Sequence, residues 1–274
     1  EEQCRIALAA LCASVGVEFL EGRLVGLYPA SNTLELESGK RLSTSWLSLN
    51  VGSQPLAPGS SEPSIELLPV KPFAAFVQRW SEWQKTPQSL AVLGGGAAGV
   101  ELALALARQV PQLTLLSNDK LLSGQPAALR SRALRHLATA GVQVVEGVAV
   151  DAIRDDCLLA DGQVAWRGGR VILATGASAF PWLRESGLST DKRGFVRIGQ
   201  TLQSISHPDI FAVGDCASLP ATPHSGVYAV RQGPVLAANL HAALSNQALQ
   251  TYQPQRQALA LLADRESAPL LTWA

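Results

Sequence analysis

Leu90-Ala-Val-Leu-Gly-Gly-Gly-Ala-Ala-Gly-Val-Glu-Leu-Ala103 is the stretch that decides the fold. Four apolar residues run directly into G-x-G-x-x-G, and the residues after it favour a helix. In such a turn Gly94 permits the tight reversal, Gly96 lets a pyrophosphate approach the backbone, and Gly99 allows helix to pack closely on strand. The helix start then offers unpaired N–H groups and a positive dipole end to the phosphates. A second apolar run, Leu113-Thr-Leu-Leu116, follows at the distance a βαβ unit requires. Leu90–Ser117 is therefore read as a dinucleotide-binding βαβ unit and not as an ordinary glycine turn.

The end of the second strand is where such a unit distinguishes its cofactors. A carboxylate there holds the adenosine 2′-OH of NAD, and a cation accommodates the 2′-phosphate of NADP. The residues at that point are Ser117, Asn118, Asp119 and Lys120. Asp119 suits NADH, whereas Ser117 and Lys120 suit NADPH, and the sequence leaves both open.

Outward from this unit the chain alternates strand and helix, the pattern of a parallel sheet. The spacing predicts helices over Phe73–Trp83, Ala98–Arg108 and Ala127–Ala140, and strands over Val142–Val145 and Arg170–Ala174. Short antiparallel strands are expected at Val148–Arg154, Cys157–Leu159 and Gln163–Trp166. Upstream, a helix over Gln3–Val15 precedes a meander of Val17–Tyr28, Thr33–Glu37 and Arg41–Leu49. Gly52–Pro72 carries five prolines and reads as a loop. Downstream come the strand Ile210–Val213, a long helix over Gly226–Leu244 and a last helix over Tyr252–Ala263.

Composition excludes several classes. The 274 residues are 47% hydrophobic and 16% charged with zero formal net charge, so no positive field draws nucleic acid or an anionic membrane. Mean hydropathy is +0.15, and no apolar run reaches the roughly 18–20 residues of a membrane-spanning helix. The four cysteines, Cys4, Cys12, Cys157 and Cys216, form no C-x-x-C pair and have no zinc spacing to a histidine. They read as free thiols in a reducing cytoplasm.

The second signature is Thr201-Leu-Gln-Ser-Ile-Ser-His-Pro-Asp-Ile-Phe-Ala-Val-Gly-Asp215, a threonine, a spacer, a strand and then Gly-Asp. It resembles the second flavin motif of the FAD-dependent pyridine nucleotide-disulfide oxidoreductase superfamily, in its NADH dehydrogenase-like branch. The resemblance spans about residues 1–245. It implies that Gly214 and Asp215 hold the ribitol of FAD. It also implies that Ala174-Thr175-Gly176 is the turn closing the nicotinamide domain. His224-Ser-Gly-Val-Tyr-Ala-Val-Arg-Gln-Gly-Pro resembles the helix start aimed at the flavin pyrimidine ring, with His224 at the ring edge. Glu101 matches an acidic position near the nicotinamide; a helix-first-turn carboxylate facing solvent is the other reading. Leu47–Ser53 and Pro69–Pro72 are similar to the reductase module fused to selenophosphate synthetase.

The expected fold is α/β, a Rossmann-like nicotinamide-dinucleotide domain inserted in an incomplete FAD-binding domain with antiparallel meanders. The expected divisions are 1–71 and 177–245 for FAD, 72–176 for NAD(P), and 246–274 as a C-terminal segment. Two dinucleotides need two glycine turns, and the sequence has one. With Glu1 first and no methionine, the chain is expected to be an N-terminally truncated piece that binds NAD(P)H and holds FAD weakly. The implied activity is transfer of hydride from NAD(P)H through FAD to a small-molecule acceptor, a quinone, sulfur or selenium species, without a redox disulfide. The implied setting is cytoplasmic, with a homodimer and a selenophosphate synthetase as expected partners. A non-catalytic dinucleotide-binding module is the alternative. A single-domain dehydrogenase is disfavoured, since no Tyr-x-x-x-Lys donor is present.

Overall fold

Strands that are apolar at every position are stable only when both faces are covered. Leu90–Leu93 is used in that way, and Leu113–Leu116, apolar but for Thr114, is likewise buried at every position. The computed structural model describes residues 6–61, 64–255, 259–261 and 270–272. The described residues form two compact units. One, the glycine-turn unit, comprises Pro55–Gly176 with Arg256–Ala274; the other, the Gly-Asp unit, comprises Glu1–Gln54 with Ala177–Gln255.

The glycine-turn unit is built on a five-stranded parallel sheet. Its spatial order is Gln143–Val145, Leu113–Leu116, Leu90–Leu93, Arg170–Leu173, Glu66–Pro69. Successive side chains in a strand point to opposite faces, which sorts the apolar residues into two cores. Leu90, Val92, Leu113, Leu115 and Ile172 pack with Phe76, Val100, Ala103, Leu129, Ala133 and Leu137 of the helices. Ala91, Leu93, Leu116, Val171 and Leu173 pack with Ile153 and Leu158 of a mixed sheet on the other face, whose edge strand Gly59–Ser61 runs parallel to its neighbour. That second sheet orders Gln163–Arg167, Cys157–Ala160, Ala152–Arg154 and Gly59–Ser61. Each fully buried Leu or Ile contributes roughly 1.5–3 kcal/mol, so the sheet is stabilised from both sides.

Two expectations about this unit are corrected. Gly52–Pro72 is not simply a loop, because Glu66–Pro69 is the edge strand beside Arg170–Leu173. An edge position tolerates Pro69, whose missing N–H is not required by a neighbour on the open side. The contact boundary accordingly falls at Gln54/Pro55, upstream of the expected 71/72 division. The last helix expected over Tyr252–Ala263 is also absent from its described part. Residues 252–255 are irregular and Leu259–Leu261 is a strand paired with Leu270–Thr272. Pro254 explains the break, since it lacks an amide hydrogen and pushes Gln253 out of the helical region.

In the Gly-Asp unit, Leu24–Tyr28, Thr33–Leu36 and Arg41–Ser43 form the antiparallel meander. The first strand is shorter than Val17–Tyr28, because Thr33–Leu36 gives a ladder only from Leu24 onward; Val17 and Leu20 are exposed. The third expected strand is two: Leu47–Leu49 leaves the meander and pairs in parallel with Ile210–Ala212. The first helix covers Leu8–Ser14, and none of its residues is buried. Residues 3–5 of that expected helix lie outside the described residues. Leu47, Leu49, Phe195, Leu202, Ile210 and Phe211 form the core, and the helix Gly226–Leu244 packs on it through Val235, Leu236 and Leu240.

Candidate functional site

In the parallel sheet, strands added after Leu90–Leu93 extend to one side, while Arg170–Leu173 returns to the other. The order reverses between these two neighbours, and ligands of open α/β sheets lie at the carboxyl ends of strands at such a switch point. Those ends carry Gly94–Gly99 and Ala174-Thr175-Gly176. They are held together by the Ala174 N–H donating to the Leu93 carbonyl at 2.9 Å and by the Gly94 N–H donating to Leu116 at 2.9 Å. Thr175 Oγ1 donates to the Leu56 carbonyl at 2.5 Å, and the Gly176 carbonyl accepts from Leu56 N–H at 3.3 Å.

The glycines of the turn have separate duties. A Cβ on Gly94 would lie 2.2 Å from the Ala174 carbonyl oxygen, and Gly94 has φ +131°. A Cβ on Gly99 would lie 1.8 Å from the Gly94 carbonyl oxygen. Both positions are closed by backbone. At Gly96 a Cβ would meet nothing within 4 Å. Gly96 also caps the helix Ala97–Leu106, with no side chain bonded to the helix start. Open space beside uncapped amides is what an incoming pyrophosphate needs, so the residues present fit a nicotinamide dinucleotide.

Ser117 and Glu101 sit differently from their sequence readings. Ser117 is buried, and a Cβ on Gly95 would lie 2.0 Å from its Oγ. Its N–H donates to Val145 and its carbonyl accepts from Val148, both at 2.9 Å. Ser117 thus braces the glycine turn from beneath. Strand parity carries that signal: residues 113 and 115 face the helices, and 117 shares their side. Glu101 is half-buried beyond the first turn of its helix, which has no acidic residue there. The first-turn dipole reading therefore does not apply.

In the Gly-Asp unit, the strand Ile210–Ala212 ends in a short 3-10 turn, Gly214–Cys216. Gly214 has φ +67°, and its N–H donates to Gln232 Oε1 at 2.7 Å. Gln232 projects from the helix Gly226–Leu244, so the turn and the helix are fixed to one another. Ser53 Oγ donates to Asp215 Oδ2 at 3.3 Å. His224 lies just before that helix. Its ring is 4.0 Å from the Phe195 ring centroid, and it hydrogen-bonds the Asp215 backbone. Burial lowers the His224 pKa, Arg193 acts in the same sense, and the charges of Asp215 and Asp191 oppose them. The guanidinium of Arg193 stacks over Phe195 at 5.0 Å. The helix start, capped by Ser225, has no side-chain cap hydrogen bond.

Gly214, Asp215 and His224 are thus brought together. Ser53, Asn50, Gln232, Phe195 and Arg193 join them without having been singled out. A carboxylate at a strand's carboxyl end beside an uncapped helix start fits a polyol carrying an anionic ring system, the ribitol and flavin side of FAD. Cys216 is buried, with Sγ 3.2 Å from the Val213 carbonyl and 3.5 Å from that of Leu49. Burial raises its pKa, so it is a packing thiol.

A parallel sheet with a glycine turn at its switch point in one unit, and a Gly-Asp turn at a helix start in the other, define a nucleotide-dependent oxidoreductase class. The chain belongs to the pyridine nucleotide-disulphide oxidoreductase family, whose model matches residues 6–233. Ferroptosis suppressor protein 1 of Taeniopygia guttata is 25% identical over 259 residues, 87% of this chain and 67% of the relative. Alternative NAD(P)H-ubiquinone oxidoreductase C1, chloroplastic/mitochondrial, of Arabidopsis thaliana is 25% identical over 296 residues, 89% of this chain and 57% of the relative. Among solved structures, an FAD-dependent pyridine nucleotide-disulphide oxidoreductase from Desulfovibrio vulgaris superposes with a TM-score of 0.66 at 25% identity. That match covers 89% of this chain and 66% of the other. The chain therefore spans from 57% to 67% of the length of these three proteins. Among the described residues no helix is long and apolar enough to cross a membrane.

Proposed function

We propose that this chain serves in an FAD-dependent NAD(P)H oxidoreductase. NAD(P)H and a proton reduce a small-molecule acceptor, leaving NAD(P)⁺ and the two-electron-reduced acceptor. The observation that carries this reading is the division of labour in the glycine turn: backbone closes Gly94 and Gly99 while Gly96 opens on solvent. In this proposal Gly94, Gly96 and Gly99 receive the pyrophosphate of the nicotinamide cofactor, with Thr175 and Gly176 bordering it and Ser117 supporting the turn. Glu101 lies toward the nicotinamide.

Gly214 and Asp215 hold the ribitol of FAD, and His224 meets the ring edge. FAD bound there supplies the hydride acceptor, chemistry that belongs to the cofactor. The residues of this chain orient and exclude water. Asp215 accepts hydrogen bonds from the polyol, Gln232 keeps the helix start aligned with it, and His224 and Phe195 form an aromatic wall. Among the described residues no pair of cysteines is placed to pass electrons through a disulfide, which favours a quinone, sulfur or selenium species as acceptor. A cytoplasmic setting, a homodimer and association with a selenophosphate synthetase belong to the same proposal.

The test is a dye-reduction assay of the purified chain with NADH and NADPH, with and without added FAD, alongside calorimetric titration of each nucleotide. Nucleotide binding with FAD-dependent turnover is the expected result. Binding of nucleotide without turnover at saturating FAD would overturn it in favour of a non-catalytic dinucleotide-binding module, a reading that the single glycine turn supports.

A further inference from the structure

The adenosine end of the glycine-turn unit, left open between NADH and NADPH by its sequence, has a specific arrangement of charges. A βαβ unit that reads an unphosphorylated ribose presents a carboxylate with free lone pairs beyond the second strand. Here the first residue beyond Leu113–Leu116 is Ser117, buried beneath Gly95. Asp119 comes next among candidates. Its Oδ1 accepts from the Lys120 N–H at 2.7 Å and its Oδ2 accepts from Ser123 Oγ at 2.7 Å. Each carboxylate oxygen is thus turned back onto its own loop.

The other acid at this end of the sheet is Glu146, just beyond the third strand. Its Oε1 accepts from the Leu121 N–H at 2.5 Å and from Arg130 at 2.8 Å, and its Oε2 accepts from Arg130 at 2.6 Å. That carboxylate is neutralised by a half-buried bidentate partner. Both acids are occupied by local donors, and Asn118 and Lys120 are exposed beside them. The ammonium of Lys120 acts electrostatically on Asp119 and Glu146 alike, so it stands near both.

We infer that this chain selects the 2′-phosphorylated cofactor, NADPH, and that Lys120 is the residue that reads the phosphate, with the Asn118 amide as an additional donor. The inference rests on the proposal that the glycine turn binds a nicotinamide dinucleotide. The acid nearest a ribose diol, Asp119, already accepts a hydrogen bond on each oxygen from its own loop, whereas a phosphate finds the exposed Lys120 ammonium, and the second acid, Glu146, is compensated by Arg130. An ammonium paired with phosphate at a partly exposed site is worth about 1.4 kcal/mol, or tenfold in affinity.

The test is isothermal titration of the full chain with NADPH and with NADH, at low and at high salt, for the native protein and for Lys120→Ala and Lys120→Glu. Expected are roughly tenfold tighter binding of NADPH in the native protein, loss of that ratio in Lys120→Ala, and its inversion in Lys120→Glu. The native ratio should also shrink as salt screens the exposed pair, a readout that needs no variant. Equal affinities, or tighter NADH, in the native chain overturn the inference and leave the dinucleotide reading standing. A preference for NADPH that survives both substitutions and high salt removes Lys120 from the role. Absence of binding by either nucleotide overturns the dinucleotide reading, and this inference with it.

Discussion

Both units place a glycine at the carboxyl end of a strand, and the two glycines are there for different reasons. In the glycine-turn unit backbone presses on backbone: the Cβ positions of Gly94 and Gly99 are taken by the carbonyl oxygens of Ala174 and Gly94. In the Gly-Asp unit the demand at Gly214 is a left-handed dihedral, and the nearest obstacle to a Cβ is the Asn50 side chain at 2.8 Å. A side chain can rotate away, whereas a backbone carbonyl at the end of a strand cannot. The first turn is therefore rigid by construction, and the second is shaped by a torsional preference plus the Gln232 clasp.

Substitution should expose that difference, and the largest effect is expected at Gly99. Gly99→Ala forces helix from strand and should destabilise the glycine-turn unit by about 3 kcal/mol, read as an earlier thermal transition with loss of NAD(P)H binding. An unchanged melting temperature would refute backbone closure at this site. Gly214→Ala should be milder, about 1–2 kcal/mol, because only the dihedral resists while Asn50 moves. A loss as large as that of Gly99→Ala would erase the proposed contrast.

Gly96→Ala sharpens the comparison within one turn. Thermal denaturation should be unchanged, since the added methyl meets nothing and φ is −76°. NAD(P)H affinity should nevertheless fall by about tenfold, or 1.4 kcal/mol, because the methyl occupies the phosphate's approach. Calorimetry that finds native affinity would detach Gly96 from the ligand.

The smallest effects concern pH, where the units should respond in different windows. Burial raises the Glu146 pKa, but the Leu121 N–H and Arg130 outweigh it and leave the carboxyl below its ordinary 4.5. A depressed folded pKa means stability is whole above 4.5 and is lost as pH falls through the folded value. His224 is likewise depressed, by burial and Arg193, from 6.5. Its contribution is whole above 6.5 and declines as pH falls from there toward the folded pKa. Hydrogen exchange should thus show the Gly-Asp unit loosening first on acidification. His224→Gln should abolish that earlier step and Glu146→Gln should weaken the later one, to which Glu66 also contributes; a shared onset in the native chain would contradict the assignment.

Much of this was legible in the residues themselves. Leu90–Leu93, without a polar side chain, and Leu113–Leu116, interrupted only by Thr114, announce doubly covered strands. The helix Gly226–Leu244 is found at its expected bounds even with Pro234 inside it. What escaped reading depends on partners distant in sequence. Glu66–Pro69 is a strand only because Arg170–Leu173 lies beside it, and the prolines of Gly52–Pro72 argue locally for a loop. Leu47–Leu49 continues a meander by alternation, yet it pairs with Ile210–Ala212 instead. At the site, Gly214-Asp215 is a local motif and is visible, whereas Gln232, Ser53 and Asn50 join it through the fold. Ser117 was recognised as a position and misjudged in direction, although strand parity contains the answer.

The open space beside Gly96 has a consequence for descent. Exchanging glycine for alanine takes one nucleotide, and at Gly94 or Gly99 the folded domain itself resists that exchange. At Gly96 only the ligand resists it. Among copies of this domain that have ceased to bind a dinucleotide, the flanking glycines should persist while the middle one drifts, leaving a record of lost binding in an otherwise sound fold.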